Sequence, residues 1–509
     1  MKKYIFLFLS LFSSINLSAQ EKGLDQRIDE AFQPISEFFS KYVFYPIGDY
    51  PFVIYLLVGS ALFFTIYFGF PNLKYFWTAI NVVRGKYDKL EKNDNDSKDG
   101  EVSHFQALAT AVSGTVGNGN IAGVALAIAL GGPGATFWMI VCGLLGMSTK
   151  FVECTLGVYY RDVDEDGVVY GGPMYYISKG LKSKGFKTLG TIAASLFAIF
   201  CIGGSFGGGN AAQSNQATIV IKNLFGYEST FAGAMIGIVL AALVGIIIIG
   251  GIKRIASVTE KVVPFMALLY ILACIYILTI NFSFIDDAIA LIIREAFNPT
   301  AVGVGGIIGV LMVGFQRAAF SNEAGAGSAS IAHSAVKTNY AASEGLVALL
   351  EPFIDTVVIC TMTALVIITF NSSGAFVYGG DGMGGVMIDG VMYEGAGITQ
   401  KAFAQYIPGS DIFLTIAVVL FAVSTMISWS YYGLQSWKFL FGRGRVADLT
   451  YKLLFLMFVV IGAAASMNSI WAFSDAMIFA MVFPNMIGLY FLFPIVKEQL
   501  KKYLEAIKN

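Results

Sequence analysis

Ser424 and Thr425 stand next to each other in "FAVSTMISWSYYG" (421–433), a pair of hydroxyls in an otherwise apolar run. Hydroxyl oxygens are hard donors of the kind Na⁺ accepts. The rival assignment is a bond back to the carbonyl one turn earlier in the same helix. A second polar concentration is "SGTVGNGNIAGVALAIALGGPG" (113–134), with seven glycines and two asparagines among twenty-two residues. Glycine inside a helix costs about 1 kcal/mol relative to alanine, and a buried amide needs partners. A third, "GVGGIIGVLMVGFQRAAFSNEAGAGSASIAHSA" (303–335), mixes glycines with Gln316, Arg317, Ser321, Asn322 and Glu323. Such stretches predict helices interrupted within an apolar layer, where irregular backbone survives only inside protein or beside a polar cavity. Free N–H groups at a half-helix N-terminus attract a carboxylate, and freed carbonyls attract a small cation. An amino acid and a cation are the ligands this chemistry fits.

The charged residues in apolar runs have narrower readings. Arg317 and Glu323 flank the third stretch and are expected to act as a gate pair or to pin the broken backbone. Lys150 and Glu153, three apart, read as an intrahelical pair. Glu344, Glu351 and Asp355 are candidates for carrying a proton. Two histidines, His104 and His333, are too few for a histidine metal site. The five cysteines (Cys142, Cys154, Cys201, Cys274, Cys360) lack metal or redox spacing and read as reduced, buried side chains. No clustered nucleophile, base or carboxylate pair suggests an enzyme, and no nucleotide-binding motif or organic-cofactor signature is present. A net charge of −1 gives no reason to expect nucleic acid, and no obligate protein partner is evident. A channel would need a continuous polar pore rather than two dissimilar breaks.

Elements long enough to carry these residues across a bilayer are abundant. Of 509 residues 56% are hydrophobic and 13% charged, with a mean hydropathy of +0.69, whereas soluble chains carry about 25% charge. Residues 1–19 have the basic start, apolar core and small residues of a signal peptide ending near Ala19, and 20–51 reads as an external amphipathic segment. Runs of spanning length fall at 52–72, 104–130, 135–158, 188–220, 229–252, 258–281, 303–332, 341–369, 411–437, 450–468 and 471–495, which predicts an all-α polytopic protein of about eleven spans. Lysine and arginine crowd alternate loops, including Arg84, Lys86, Lys182, Lys184, Lys253, Arg254, Arg443 and Arg445. The opposite loops hold little beyond Arg294 and Lys401. The positive-inside rule then puts the mature N-terminus outside and the tail 496–509 in the cytoplasm of a bacterial inner membrane. After one extra span and its loop (52–103), two five-helix sets, 104–281 and 303–495, each open on an interrupted helix. That is the pattern of an inverted-repeat secondary transporter.

The sequence also resembles a known family. "GTVGNGNIAGVALAIALGGPGATFWMIVCGLLGMSTKFVECTLGVYYR", "GGPMYYI" (171–177), "RAAFSNEAGAGSASIAHS" (317–334) and "FAVSTMISWSYYG" are similar, in order, to the signature blocks of the alanine/glycine:cation symporters, the sodium:alanine symporter family. The resemblance covers about residues 50–495 and implies a LeuT-like fold. It also implies import of alanine or glycine in symport with Na⁺, or H⁺ in its place, by alternating access. On this likeness the first break is Gly117-Asn118-Gly119, with amides of Asn118 and Gly119 on the substrate carboxylate. Gln213 matches a pocket glutamine, Phe320 and Trp429 match aromatic walls, and Thr425 adjoins the substrate. Na⁺ would take the carbonyls of Ser113 and Val116 and the hydroxyls of Ser424 and Thr425. Asn118 departs from the family pattern, where Thr or an apolar residue is common, and leaves room for a larger neutral amino acid such as glutamine.

Overall fold

A computed structural model describes residues 23–91, 100–227, 229, 231–300 and 306–508. The expected signal peptide (1–19) lies outside them. The described chain is mostly helical, with loops and a few short hairpins such as Gly385–Ile388 with Val391–Glu394. That hairpin turns on Asp389 and Gly390, both at positive φ, as a tight two-residue connection requires.

Helices occur in each of the eleven apolar ranges. Among the described residues, seven are long and apolar enough to cross a membrane, and eight if a bent pair is taken as one. That pair is His104–Thr115 with Gly119–Gly131, bent by 51°. The cause is local. The N–H of Gly117 donates to Asn120 Oδ1 at 2.9 Å instead of to a carbonyl of the preceding turn, and the helix ends at Val116 with ψ 86°. The second interruption follows helix Gly306–Asn322. Glu323, Gly325 and Gly327 all take positive φ before the chain re-forms as Ser330–His333. Two further helices loosen into π-turns, at Gly207–Ala211 and Phe353–Cys360.

Small and polar residues join the helices, as packing in lipid requires. Thr65 Oγ1 donates to Ser148 Oγ at 2.9 Å and Asn72 Nδ2 to the Leu144 carbonyl at 2.8 Å. Asn215 Nδ2 spans to the carbonyls of Gly462 and Ala465. All five cysteines are buried and unpaired. Helix Leu24–Val43 packs against Met467–Ala506: Ser36 donates to the Ser469 carbonyl at 2.8 Å, and Asp29 accepts from the Ser466 N–H at 2.9 Å. Its Asp25 accepts from the N–H groups of Gly233 and Ala234, at the start of helix Ala232–Ile248.

Candidate substrate and cation site

The two interruptions face one another across a small cavity. Its lining includes Thr115 and Gly119 from the first, Phe320, Ser321 and Glu323 from the second, Gln213 beside the Gly207–Ala211 turn, and Trp429. The free space within it is about 10 Å³, room for about one water molecule as the side chains stand. Trp429 is fixed from two sides. Its Nε1 donates to Glu323 Oε1 at 2.9 Å, and its ring lies so close to Gly209 that a Cβ there would collide with the indole. Phe320 stacks on Trp471 with centroids 4.9 Å apart, and the Arg317 guanidinium lies 5.6 and 5.5 Å from those two rings.

Gln213 is committed at both ends of its amide. Oε1 accepts the Asn118 N–H at 3.0 Å, and Nε2 donates to the Gly208 carbonyl at 2.9 Å. Asn118 Nδ2 returns a bond to the Gln213 carbonyl at 3.1 Å, while Asn118 Oδ1 is buried without a partner. The Asn118 N–H that the resemblance gives to a carboxylate is therefore held by Gln213. Gly119, Gln213, Phe320 and Trp429 line the cavity; Asn118 and Thr425 stand just behind it.

The oxygen donors assigned to Na⁺ meet in part. Thr425 Oγ1 lies 3.0 Å from the Ser113 carbonyl oxygen, to which it donates. Ser113 Oγ donates to the Ser424 carbonyl at 2.8 Å. The Ser424 hydroxyl turns back to the Phe421 carbonyl at 2.9 Å, the local alternative for such a residue. A Cβ on Gly117 would strike Thr425 Oγ1 and come within 3.1 Å of Gln213 Oε1, so only glycine lets the first helix approach both.

Two expected ion pairs are replaced. Arg317 and Glu323 are not partners: six residues apart, they leave a helix on different sides, and Glu323 already sits in the turn beyond it. Arg317 pairs with Asp475, which also accepts from Gln316 Nε2 at 3.1 Å. Glu323 accepts from Ser328 and Trp429. Lys150 likewise bypasses Glu153 for Glu351 at 2.9 Å on a facing helix, and Glu153 accepts from Asn485 Nδ2 at 2.7 Å.

Sequence reasoning passes over Asn120, which occupies the centre of the first break. Its Nδ2 donates to Asp355 Oδ1 at 2.7 Å. Asp355 also accepts from Ser321 at 3.1 Å and Thr356 at 2.7 Å, so one carboxylate ties both interruptions together. The repeated "GN" of residues 117–120 is the signal that could have singled it out.

Residues 33–509 match the family model described as the sodium:alanine symporter family. The chain belongs to the sodium:alanine symporter family. Among its relatives is the sodium/alanine symporter AgcS of Methanococcus maripaludis, 39% identical over 460 residues, covering 90% of this chain and 95% of that one. A probable sodium/glutamine symporter, GlnT of Bacillus subtilis, is 32% identical, covering 90% and 88%. The fold is shared with a manganese transporter of Eremococcus coleocola, with a TM-score of 0.50 and 12% identity over 76% of this chain and 78% of that one. A member of the sodium:alanine symporter family with this LeuT-like architecture is a multi-pass membrane transporter, and its relatives are transporters rather than enzymes.

Proposed function

We propose that this chain imports a small neutral amino acid together with Na⁺, by alternating access across a bacterial inner membrane, with its two five-helix halves related as inverted repeats. Alanine and glycine head the candidates. Glutamine remains among them because a relative is named for it. The observation that carries the reading is the contact just before the first break, where Thr425 Oγ1 meets the Ser113 carbonyl, next to the Gly114 and Thr115 of the cavity lining. A cation accepted there would replace the Thr425 hydrogen as the partner of that carbonyl, using oxygen donors of the type Na⁺ takes. Because Ser113, Gly117 and Gly119 belong to one interrupted segment, ion and substrate would bias the same piece of backbone. Linkage makes that bias mutual: a tenfold effect of one on the other is about 1.4 kcal/mol in both directions.

The test is uptake of labelled alanine, glycine and glutamine into vesicles holding the full chain, with and without an inward Na⁺ gradient. Accumulation that needs Na⁺ is expected, and Thr425→Ala should raise the Na⁺ concentration for half-maximal uptake far more than it alters affinity at saturating Na⁺. Uptake indifferent to Na⁺ and driven by a proton gradient would favour a second reading, H⁺ coupling. One observation supports that alternative: Glu323 lines the cavity, and its carboxylate is held by the neutral donors Ser328 and Trp429.

A further inference from the structure

Away from the cavity, at the end of the bundle that carries the basic loops, six ionisable side chains form one buried chain. Glu91 Oε2 lies 2.7 Å from His104 Nε2, and His104 Nδ1 meets Glu344 Oε2. Glu344 Oε1 lies 2.5 Å from His333 Nδ1, whose Nε2 faces Glu351 Oε2 at 3.6 Å. Glu351 Oε1 then takes Lys150. His104 is 7% exposed, Glu91 3% and the other four 0%. The chain joins five segments: Asp88–Glu91, His104–Thr115, Gly134–Tyr159, Ser330–His333 and the helical stretch from Ala341 through Pro352.

The arrangement dictates a proton count. A neutral imidazole has one N–H, yet both ring nitrogens of His104 lie on carboxylate oxygens. Glu91 also accepts from the hydroxyls of Tyr503, Thr338 and Ser343, which suits an anion. His333 follows the pattern more loosely: Nδ1 lies on Glu344, while Nε2 faces Glu351 Oε2 at 3.6 Å. Both of these last atoms are buried without a hydrogen-bond partner and are relieved if that nitrogen carries a proton. With both rings protonated, three carboxylates (Glu91, Glu344, Glu351) meet three cations (His104, His333, Lys150). With neutral rings the chain would bury net negative charge, which is costly at such depth. The other ionisable groups facing it are Glu153, Glu323 and Cys154 around Lys150, and Asp355 near Glu351. Tyr432 borders Glu351, Tyr87 and Tyr340 border Tyr503, and Arg161 donates to the Ser334 and Thr338 carbonyls.

We propose that this chain is a proton-binding site: protons held on His104 and His333 knot the five segments together, and losing one frees their ends from each other. The protein contains two histidines in all, so histidine-selective ¹⁵N labelling of the full chain, purified on a histidine-free tag, reads this site without background. Both rings should be doubly protonated at pH 7, and Glu344→Gln should render at least one neutral. In the same variant at pH 7.5, trypsin should cut after the exposed Lys337 at least several-fold faster. A neutral ring at pH 7 in the unaltered protein overturns the proton count, whether or not the variant folds. Cleavage unchanged in a folded variant whose ring has become neutral overturns the knot. Neither spectrum nor cleavage needs Na⁺ or an amino acid, so failure here is separate from failure of the transport reading.

Discussion

At Gln213, one side-chain amide spans two irregular turns, taking the Asn118 N–H on one side and giving to Gly208 on the other. Truncation would leave a buried donor and a buried acceptor unpaired, each worth about 1–3 kcal/mol. We therefore expect Gln213→Ala to weaken alanine binding by about 1–3 kcal/mol, measured on purified protein; unchanged affinity would remove Gln213 from the site. Gly117 makes a sharper case. Gly117→Ala should abolish Na⁺-dependent uptake because its Cβ collides with Thr425 Oγ1. Adding Thr425→Ala should restore yield and thermal stability without restoring dependence on Na⁺; full recovery of both would show that the hydroxyl is no ligand. At this scale the sequence is informative about residue type and poor about partner. Glycine and asparagine in an apolar run announce a break. Which asparagine turns to Gln213 and which to Asp355 depends on backbone phase within the break, and no pattern of spacing encodes that.

Between elements, the links that matter join residues far apart in the chain. Arg317 meets Asp475 from 158 residues away, and nothing in "WAFSDAMIF" advertises it. The closer Glu323 is the natural guess until the helix is seen to stop at Asn322. Asp475→Asn would leave Arg317 buried against two aromatic rings without its counter-ion. Losing one partner of a buried pair costs about 3–5 kcal/mol, so a lowered melting temperature of the purified variant is expected, with partial recovery in Arg317→Met/Asp475→Leu. No drop would mean that water reaches the arginine. A smaller effect is expected at Asp25, which holds the first N–H groups of helix Ala232–Ile248. Asp25→Ala should cost about 0.5–2 kcal/mol, as loss of a helix cap does, read from the same melting curves. Helix positions are themselves legible because twenty apolar residues in a row have few other fates. The π-turns are not, since a one-residue widening of the helical ladder leaves hydrophobicity unchanged.

For the whole molecule, the Lys/Arg asymmetry predicts that Ser372→Cys reacts with an impermeant thiol reagent from outside intact cells, whereas Lys86→Cys does so only after permeabilisation. The opposite labelling would invert the topology and with it the direction assigned to transport. Fold class and family are both readable from sequence at this scale, because hydropathy marks where apolar helices run while four ordered motifs identify the family. The span count is not, since seven or eight of the described helices have spanning length and composition where eleven ranges are expected. The docking of helix Leu24–Val43 is not readable, since amphipathic character fits a helix lying on a membrane as well as one packed on protein.

That docking has a consequence for biogenesis. Ser36 reaches across 433 positions to the Ser469 carbonyl, so a segment synthesised early finds its seat only when the last long helix has been inserted. Until then its apolar face, with Phe32 and Val43 buried in the finished protein, lacks the surface of that helix and meets earlier segments only in part, as where Phe32 packs on Phe458. Synthesis runs from the N-terminus at about 5–20 residues per second, which leaves the segment waiting roughly 20 to 90 seconds. Docking is thus a mark of completed assembly. Chains released before residue 467 should be cut at Arg27 by protease added from outside, and full-length chains should resist.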